Sequence, residues 1–185
     1  MTIPKIRLSK YKSKSKIRKS LKFSRKTRKQ KQNGGVQPIQ QNQLSLQQLA
    51  ITYGNKSLTL IPIQLSKQET QTIPNISVKA SGKTLLIMYD PDAPNGMNAT
   101  NTSKNRTFLH MATIYNDGKQ SKELVPYMGP SPPMGTHRYI FTLYQLPQTI
   151  QLNTGTAGFE YYNKISPIFK KLKQIGSQLY FTVKA

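Results

Sequence analysis

Residues 83–96 read KTLLIMYDPDAPNG, an apolar run that ends on two aspartates separated by a proline. The run over 84–89 fits a strand. Pro91 fixes its own φ and pushes Asp90 into extended backbone, and Pro94 does the same to Ala93. The spacing predicts that the strand leaves as a stiff extended loop, not a helix. In extended chain, positions i and i+2 share a side, so Asp90 and Asp92 face the same space. Two like charges that close raise one pKa or recruit a positive partner. The plainer alternative is an Asp-initiated turn with both acids solvated.

Outward from this stretch the texture is that of short strands. LAITYGN, SLTLIPI and NISVKA precede it; RTFLHMATIY, KELVPYMG, HRYIFTLYQL and QLYFTV follow, broken by Gly, Asn or Pro. Such spacing predicts an all-β sandwich or barrel. YNDGK at 115–119 is a hairpin signal, since Asp-Gly supplies the positive φ that tight turns need. Only residues 160–175, EYYNKISPIFKKLKQI, carry helical spacing, with Pro167 expected in the first turn.

A second stretch, GPSPPMGTHRYIFTLYQ at 129–145, joins a rigid Pro/Gly loop to a strongly alternating strand. Alternation sets His137, Tyr139, Phe141 and Leu143 on one face and Arg138, Ile140, Thr142 and Tyr144 on the other. The other histidine of the chain, His110, lies in TFLHMATIY. An imidazole among apolar strand residues needs a hydrogen-bond partner if buried. A satisfied core or edge histidine is the plainer reading of each taken alone.

The net charge is +22 over 185 residues, and residues 1–31 hold fourteen of the 28 Lys and Arg with no acid. We read 1–35 as a disordered basic tail, 36–43 as a Gln/Asn-rich linker and 44–185 as the folded domain. Such a tail attracts nucleic acid, an anionic membrane surface or an import receptor, or is simply solvated. The chain has no cysteine, which excludes disulfides and thiolate metal sites. With no apolar leader or spanning run in the sequence, a soluble cytoplasmic protein, or one peripheral to a membrane, is expected.

LLIMYDPDAPNG, then FLHMATIYN, then GPSPPMGTHRYIFTLYQ, in that order, resemble the phosphatidylethanolamine-binding protein family, which includes the Raf-kinase inhibitor proteins. The resemblance starts near Leu46 and runs to the end. It implies a Greek-key β-sandwich of two antiparallel sheets with a short C-terminal helix. It also implies a small pocket for a phospholipid headgroup or other phosphate-bearing ligand. By motif, that pocket consists of Asp90, Pro91, Asp92, Pro94, His110, Gly129, Pro130, Pro132, Pro133, Gly135, His137 and Tyr139. Arg138 matches the motif too, but alternation turns it from His137 toward a structural ion pair.

A phosphate beside two bare carboxylates would be repelled. The expectation is that His110 and His137 carry protons stabilised by those acids, or that one acid is protonated. The Tyr139 hydroxyl and backbone N–H groups then donate to the phosphate. Binding is expected to strengthen at mildly acid pH. The sequence departs from the family pattern at Asn95, at Met111 and in the polar insertion GMNATNTSKN.

The resemblance further implies a monomeric, non-catalytic binding protein with no cofactor, no catalytic residue and no metal, which modulates a signalling partner. The alternative is a kinase or protease inhibitor, or scaffold, acting through the pocket rim. A hydrolase with a divalent metal on two Asp and two His is a further reading. Lys/Asn/Ile/Tyr/Gln-heavy usage also resembles proteins of large DNA viruses with AT-rich genomes, which would place the chain in a virion.

Overall fold

The computed structural model describes residues 48–185. The expected tail, the linker and the first residues of the expected domain lie outside them. The described order is β1 (Leu49–Tyr53), β2 (Lys56–Ser57), β3 (Ile63–Leu65), β4 (Asn75–Val78), β5 (Lys83–Ala93), β6 (Arg106–Asn116), β7 (Lys119–Val125), β8 (Thr136–Gln145), α1 (Phe159–Phe169) and β9 (Leu179–Lys184). A 3-10 turn, Thr102–Lys104, sits in the polar insertion.

The strands form a three-stranded sheet, β2-β1-β4, and a six-stranded sheet, β3-β9-β8-β5-β6-β7. β5, β6 and β7 are successive antiparallel neighbours, and β8 returns to lie on the other side of β5. That order is a Greek key. One pairing departs from the antiparallel pattern: β3 runs parallel to β9 at the sheet edge.

β5 is central, and its alternation supplies two cores. Leu86 and Met88 face the smaller sheet, packing in one cluster with Leu49, Ile51, Phe141 and Phe181. Leu85 and Ile87 point the other way, into a cluster with Tyr161, Ile165 and Phe169 of α1. Because both faces are covered, the strand reads as a continuous apolar run. Each such side chain contributes about 1.5–3 kcal/mol on burial.

Three expectations are corrected. β5 does not leave as a loop after Tyr89 but continues through Asp90, Pro91 and Asp92 to Ala93. It does so over an irregularity: Asp90 pairs with Phe108 and Ala93 with Arg106, so β5 carries one extra residue there. A bulge tolerates Pro91, which has no N–H for the ladder.

Next, SLTLIPI is not one strand. Only Lys56–Ser57 and Ile63–Leu65 pair, while the Thr59 hydroxyl bonds both the N–H and the carbonyl of Ile61. That local turn competes with a ladder.

Last, Pro167 falls near the end of α1, not in its first turn. The carbonyl it leaves without an N–H partner belongs to exposed Asn163, where water can serve it. The Asp-Gly hairpin is present: Asp117 and Gly118 have φ of 48° and 77°. Asp117 Oδ1 also accepts the Gly82 N–H at 2.7 Å.

Candidate functional site

At the end of the large sheet where β5 and β6 lose register lies a cavity of about 220 Å³. Asp90, Ala93 and Pro94 line it from β5 and its exit, Phe108 and His110 from β6, and His137 and Tyr139 from β8. Met128, Gly129, Ser131, Pro132 and Pro133 line it from the β7–β8 loop, and Phe159 from the start of α1. Its volume is below the ~300–1,000 Å³ of sites for drug-sized ligands, which suits a small headgroup.

The β6 ladder explains why His110 reaches the cavity. Met88 pairs with Met111 and Tyr89 with Leu109, so His110 is the extra residue of a bulge. A bulge re-aims a side chain without ending the strand. The His110 Nδ1–H donates to the Met128 carbonyl at 2.8 Å. Its Nε2 has no hydrogen-bond partner among the described residues. The ring stands edge-on to Tyr139, with centroids 5.1 Å apart.

His137 is fully buried, and both its ring nitrogens face oxygen acceptors. Nδ1 lies 2.7 Å from Asp90 Oδ2 and Nε2 lies 3.0 Å from the Met134 carbonyl. A neutral imidazole has one N–H, so a ring that donates on both sides is an imidazolium paired with the Asp90 carboxylate. The other Asp90 oxygen accepts the Asp92 N–H at 2.7 Å.

Asp92 is also buried but turns to Arg138. The guanidinium donates from Nε to Oδ2 at 2.9 Å and from Nη2 to Oδ1 at 2.7 Å, and the Arg138 N–H adds a third bond at 3.0 Å. The two acids therefore do not share the chain's two histidines. One takes His137 and the other takes Arg138, while His110 is held by a backbone carbonyl. With each carboxylate matched by a cation, the wall of the cavity is close to neutral.

The histidines separate in pKa. Burial lowers the His110 imidazole below its usual value, and the Met128 carbonyl and the Asp90 charge only partly offset this, while the His137 charge lowers it further. Burial also works against charge on His137, but there the hydrogen bond and charge of Asp90 outweigh it and the pKa is raised. The expectation is that both rings carry protons or that one acid does; the shifts favour a proton on His137 and work against one on His110. The Tyr139 hydroxyl is raised above its usual value by burial and by the Asp90 and Asp92 charges, so it stays a donor. No hydrogen-bond partner for it occurs among the described residues.

Of the residues expected at the pocket, Asp90, Pro94, His110, Gly129, Pro132, Pro133, His137 and Tyr139 line the cavity, whereas Pro91, Asp92, Pro130 and Gly135 do not. Pro130 is buried, its carbonyl facing the Gln71 amide at 3.4 Å. Gly135 has φ of 69° and passes close to the Asn95 carbonyl, where a Cβ would sit at 3.1 Å. Sequence reasoning missed Ala93, Phe108, Met128 and Phe159, whereas Ser131 lies within the 129–135 loop that it set at the pocket. Phe108 was within reach, since it lies two residues before His110 on the same strand; nothing in the sequence pointed to Phe159.

No group of three or more His, Cys, Asp or Glu side chains converges on a metal-sized space among the described residues. No described helix is long and apolar enough to cross a membrane.

The family model for phosphatidylethanolamine-binding protein matches residues 36–171. Relatives include the protein MOTHER of FT and TFL1 homolog 2 of Oryza sativa subsp. japonica, 27% identical over 132 residues, or 63% of this chain and 74% of that protein. The putative lipoprotein LppC of Mycobacterium tuberculosis is 30% identical over 116 residues, or 54% of this chain and 56% of that protein.

Among solved structures, carboxypeptidase Y inhibitor complexed with its cognate proteinase superposes with a TM-score of 0.57 at 19% identity, covering 74% of this chain and 82% of that one. A phosphatidylethanolamine-binding protein of Plasmodium falciparum gives 0.50 at 19% identity, covering 74% and 84%. The chain belongs to the phosphatidylethanolamine-binding protein family.

Proposed function

We propose that this member of the family is a non-catalytic binding protein whose cavity holds a small phosphate-bearing ligand of the phosphoethanolamine type. One observation carries the reading: among the described residues the His110 Nε2 and the Tyr139 hydroxyl have no partner, at a cavity where Asp90 is paired with His137 and nearby Asp92 with Arg138. The His137–Asp90 and Arg138–Asp92 pairs remove the repulsion that two bare acids would impose on an anion. Tyr139 donates to a phosphate oxygen. Neutral His110 accepts from a phosphate hydroxyl or an ammonium, and becomes a second donor once protonated.

Calorimetric titration of the full chain with phosphoethanolamine tests this. Saturable one-to-one binding that weakens about ten- to hundredfold in Tyr139→Phe supports it, in line with the ~1.5–3 kcal/mol of a hydrogen bond to a charged group. Binding that is absent, or indifferent to both Tyr139→Phe and His110→Ala, refutes it. Carboxypeptidase Y inhibitor shares the fold and forms a complex with its cognate proteinase, which favours protease inhibition through the cavity rim as a second reading. Pulldown with His137→Ala shows whether partner capture depends on the cavity.

A further inference from the structure

The large sheet has two ends, and the cavity occupies one of them. At the other, β5 begins where β6 and β8 finish: Lys83 pairs with Asn116 and Thr84 with Gln145. At the rise of extended chain, Lys83 starts β5 about 20 Å from Asp90 and the cavity.

Four segments meet at this far end. The 116–122 hairpin rests on the 79–83 turn, since the Asp117 N–H donates to the Gly82 carbonyl at 3.0 Å and Gly118 packs on the Val78 carbonyl. Gln145 joins that turn to the segment after α1. Its Nε2 donates to the Lys83 carbonyl at 3.0 Å and its N–H to the Lys173 carbonyl at 2.9 Å. The stretch after β8 completes the group, its Ile150 carbonyl accepting from Lys83 Nζ at 2.8 Å and its Leu152 carbonyl from Lys122 Nζ at 2.9 Å.

Residues 79–83, 116–122, 145–152 and 170–174 hold seven lysines and one acid, Asp117. That acid already accepts the Gly82 N–H. Glu123 follows Lys122 on β7, so alternation turns it to the other face of the sheet. Lys83 is buried, but Lys79, Lys119, Lys122, Lys170, Lys171 and Lys173 are exposed. Of those six, only Lys122 has a side-chain hydrogen bond among the described residues. Lysines that served the carbonyl end of α1 would be confined to 170–173. Lys79 and Lys119 stand on a turn and a hairpin instead.

None of the six large apolar side chains exposed among the described residues lies in these segments. A surface that enters a bilayer interface presents apolar side chains beside its cations. This one presents Ser81, Asn116 and Gln174, all exposed. Lysine with Ser, Asn and Gln is the make-up of a surface that grips phosphate and sugar.

We infer that the end of the large sheet remote from the cavity is a nucleic-acid-binding face, where Lys79, Lys119, Lys170, Lys171 and Lys173 hold the phosphodiester backbone without reading base sequence. The face is separate from the cavity and does not depend on what the cavity takes.

Residues 1–31 carry fourteen further Lys and Arg, so a test on the full chain has to separate the face from them. Two variants remove the same charge from different places. Lys79→Gln/Lys119→Gln/Lys173→Gln strips the face, and Lys67→Gln/Lys104→Gln/Lys184→Gln strips lysines outside it. Each is titrated by fluorescence anisotropy against a labelled mixed-sequence DNA duplex and a single-stranded RNA, over a range of salt. Binding of the wild type weakens linearly in log K against log salt, by about 0.9 in slope for each duplex phosphate contact. The face variant should bind the duplex at least tenfold more weakly and lose about 2–3 from that slope. The control variant should lose less than about 1. A loss on the duplex alone assigns the face to DNA, and a loss on both polymers to nucleic acid in general.

Equal slopes in the two variants, or a face variant that matches the wild type, overturn the proposal. So does a face variant that keeps its nucleic-acid affinity while losing phosphatidylserine vesicles, which would give the lysines to a membrane. Lys79→Arg/Lys119→Arg/Lys173→Arg keeps the charge and should keep the slope; a slope lost there as well would also overturn it.

Discussion

The Nδ1 of His137 lies 2.7 Å from Asp90 Oδ2 inside a fully buried pair, while its Nε2 meets the Met134 carbonyl at 3.0 Å. One ring therefore ties the end of β5 to the loop before β8, and a proton on each nitrogen lets it donate to both oxygens at once. The loop it holds supplies five of the residues that line the cavity.

Removing the ring leaves Asp90 buried without its cation. His137→Asn should cost about 3–5 kcal/mol, read as a lower urea midpoint. His110→Asn leaves no unpaired charge and should cost less. Equal costs would mean that the His137–Asp90 pair is not ionic.

The two histidines should bend the pH profile of stability in opposite directions. His137 has a folded pKa raised above its unfolded value of about 6.5. The stability it contributes is full below that value and is lost as pH rises through its folded pKa. His110 has a folded pKa lowered below the same reference. Its contribution is full above about pH 6.5 and is lost as pH falls toward its folded pKa. Urea unfolding across pH should show the alkaline-side loss vanish in His137→Asn and the acid-side loss diminish in His110→Asn.

Ligand affinity should rise as pH falls through the pKa of His110, because its Nε2 then turns from acceptor to donor toward a phosphate. Phosphoethanolamine titrations between about pH 8 and pH 5 check this. A flat profile in the wild type contradicts the role given to His110, and a slope that survives His110→Ala assigns it to another group.

Arg138 holds Asp92 through two parallel bonds, a geometry that lysine cannot reproduce. Arg138→Lys and Arg138→Ala should both destabilise, by about 1–3 kcal/mol. Their effect on phosphoethanolamine affinity should be smaller than that of Tyr139→Phe, since Asp92 does not line the cavity. A loss of binding larger than that of Tyr139→Phe would bring Asp92 into the ligand's reach.

Much of this was legible in the sequence because period-two alternation survives in strands with a buried face. It set His137, Tyr139, Phe141 and Leu143 on one side of β8, and turned Arg138 away toward an ion pair. What alternation cannot show is a bulge. One extra residue at His110 and another in Asp90–Ala93 shift the register; Pro91, without a ladder N–H, marks the second, and nothing in the local composition marks the first. The partner of Asp92 was missed for a related reason: i and i+2 share a side only where the strand is regular, and the bulge sends the two acids to different cations. Pro167 misled because the end of α1 is fixed by where Ile165 and Phe169 pack, not by the proline.

Since the chain contains two histidines, ¹⁵N-histidine labelling gives four ring-nitrogen resonances and tests the arrangement most directly. Near neutral pH, His137 should show two protonated nitrogens, and His110 a protonated Nδ1 beside an unprotonated Nε2. Addition of phosphoethanolamine should move the His110 Nε2 resonance and leave both His137 nitrogens in place. A neutral His137, or ligand binding that leaves the His110 Nε2 resonance unmoved, would contradict the proposed site.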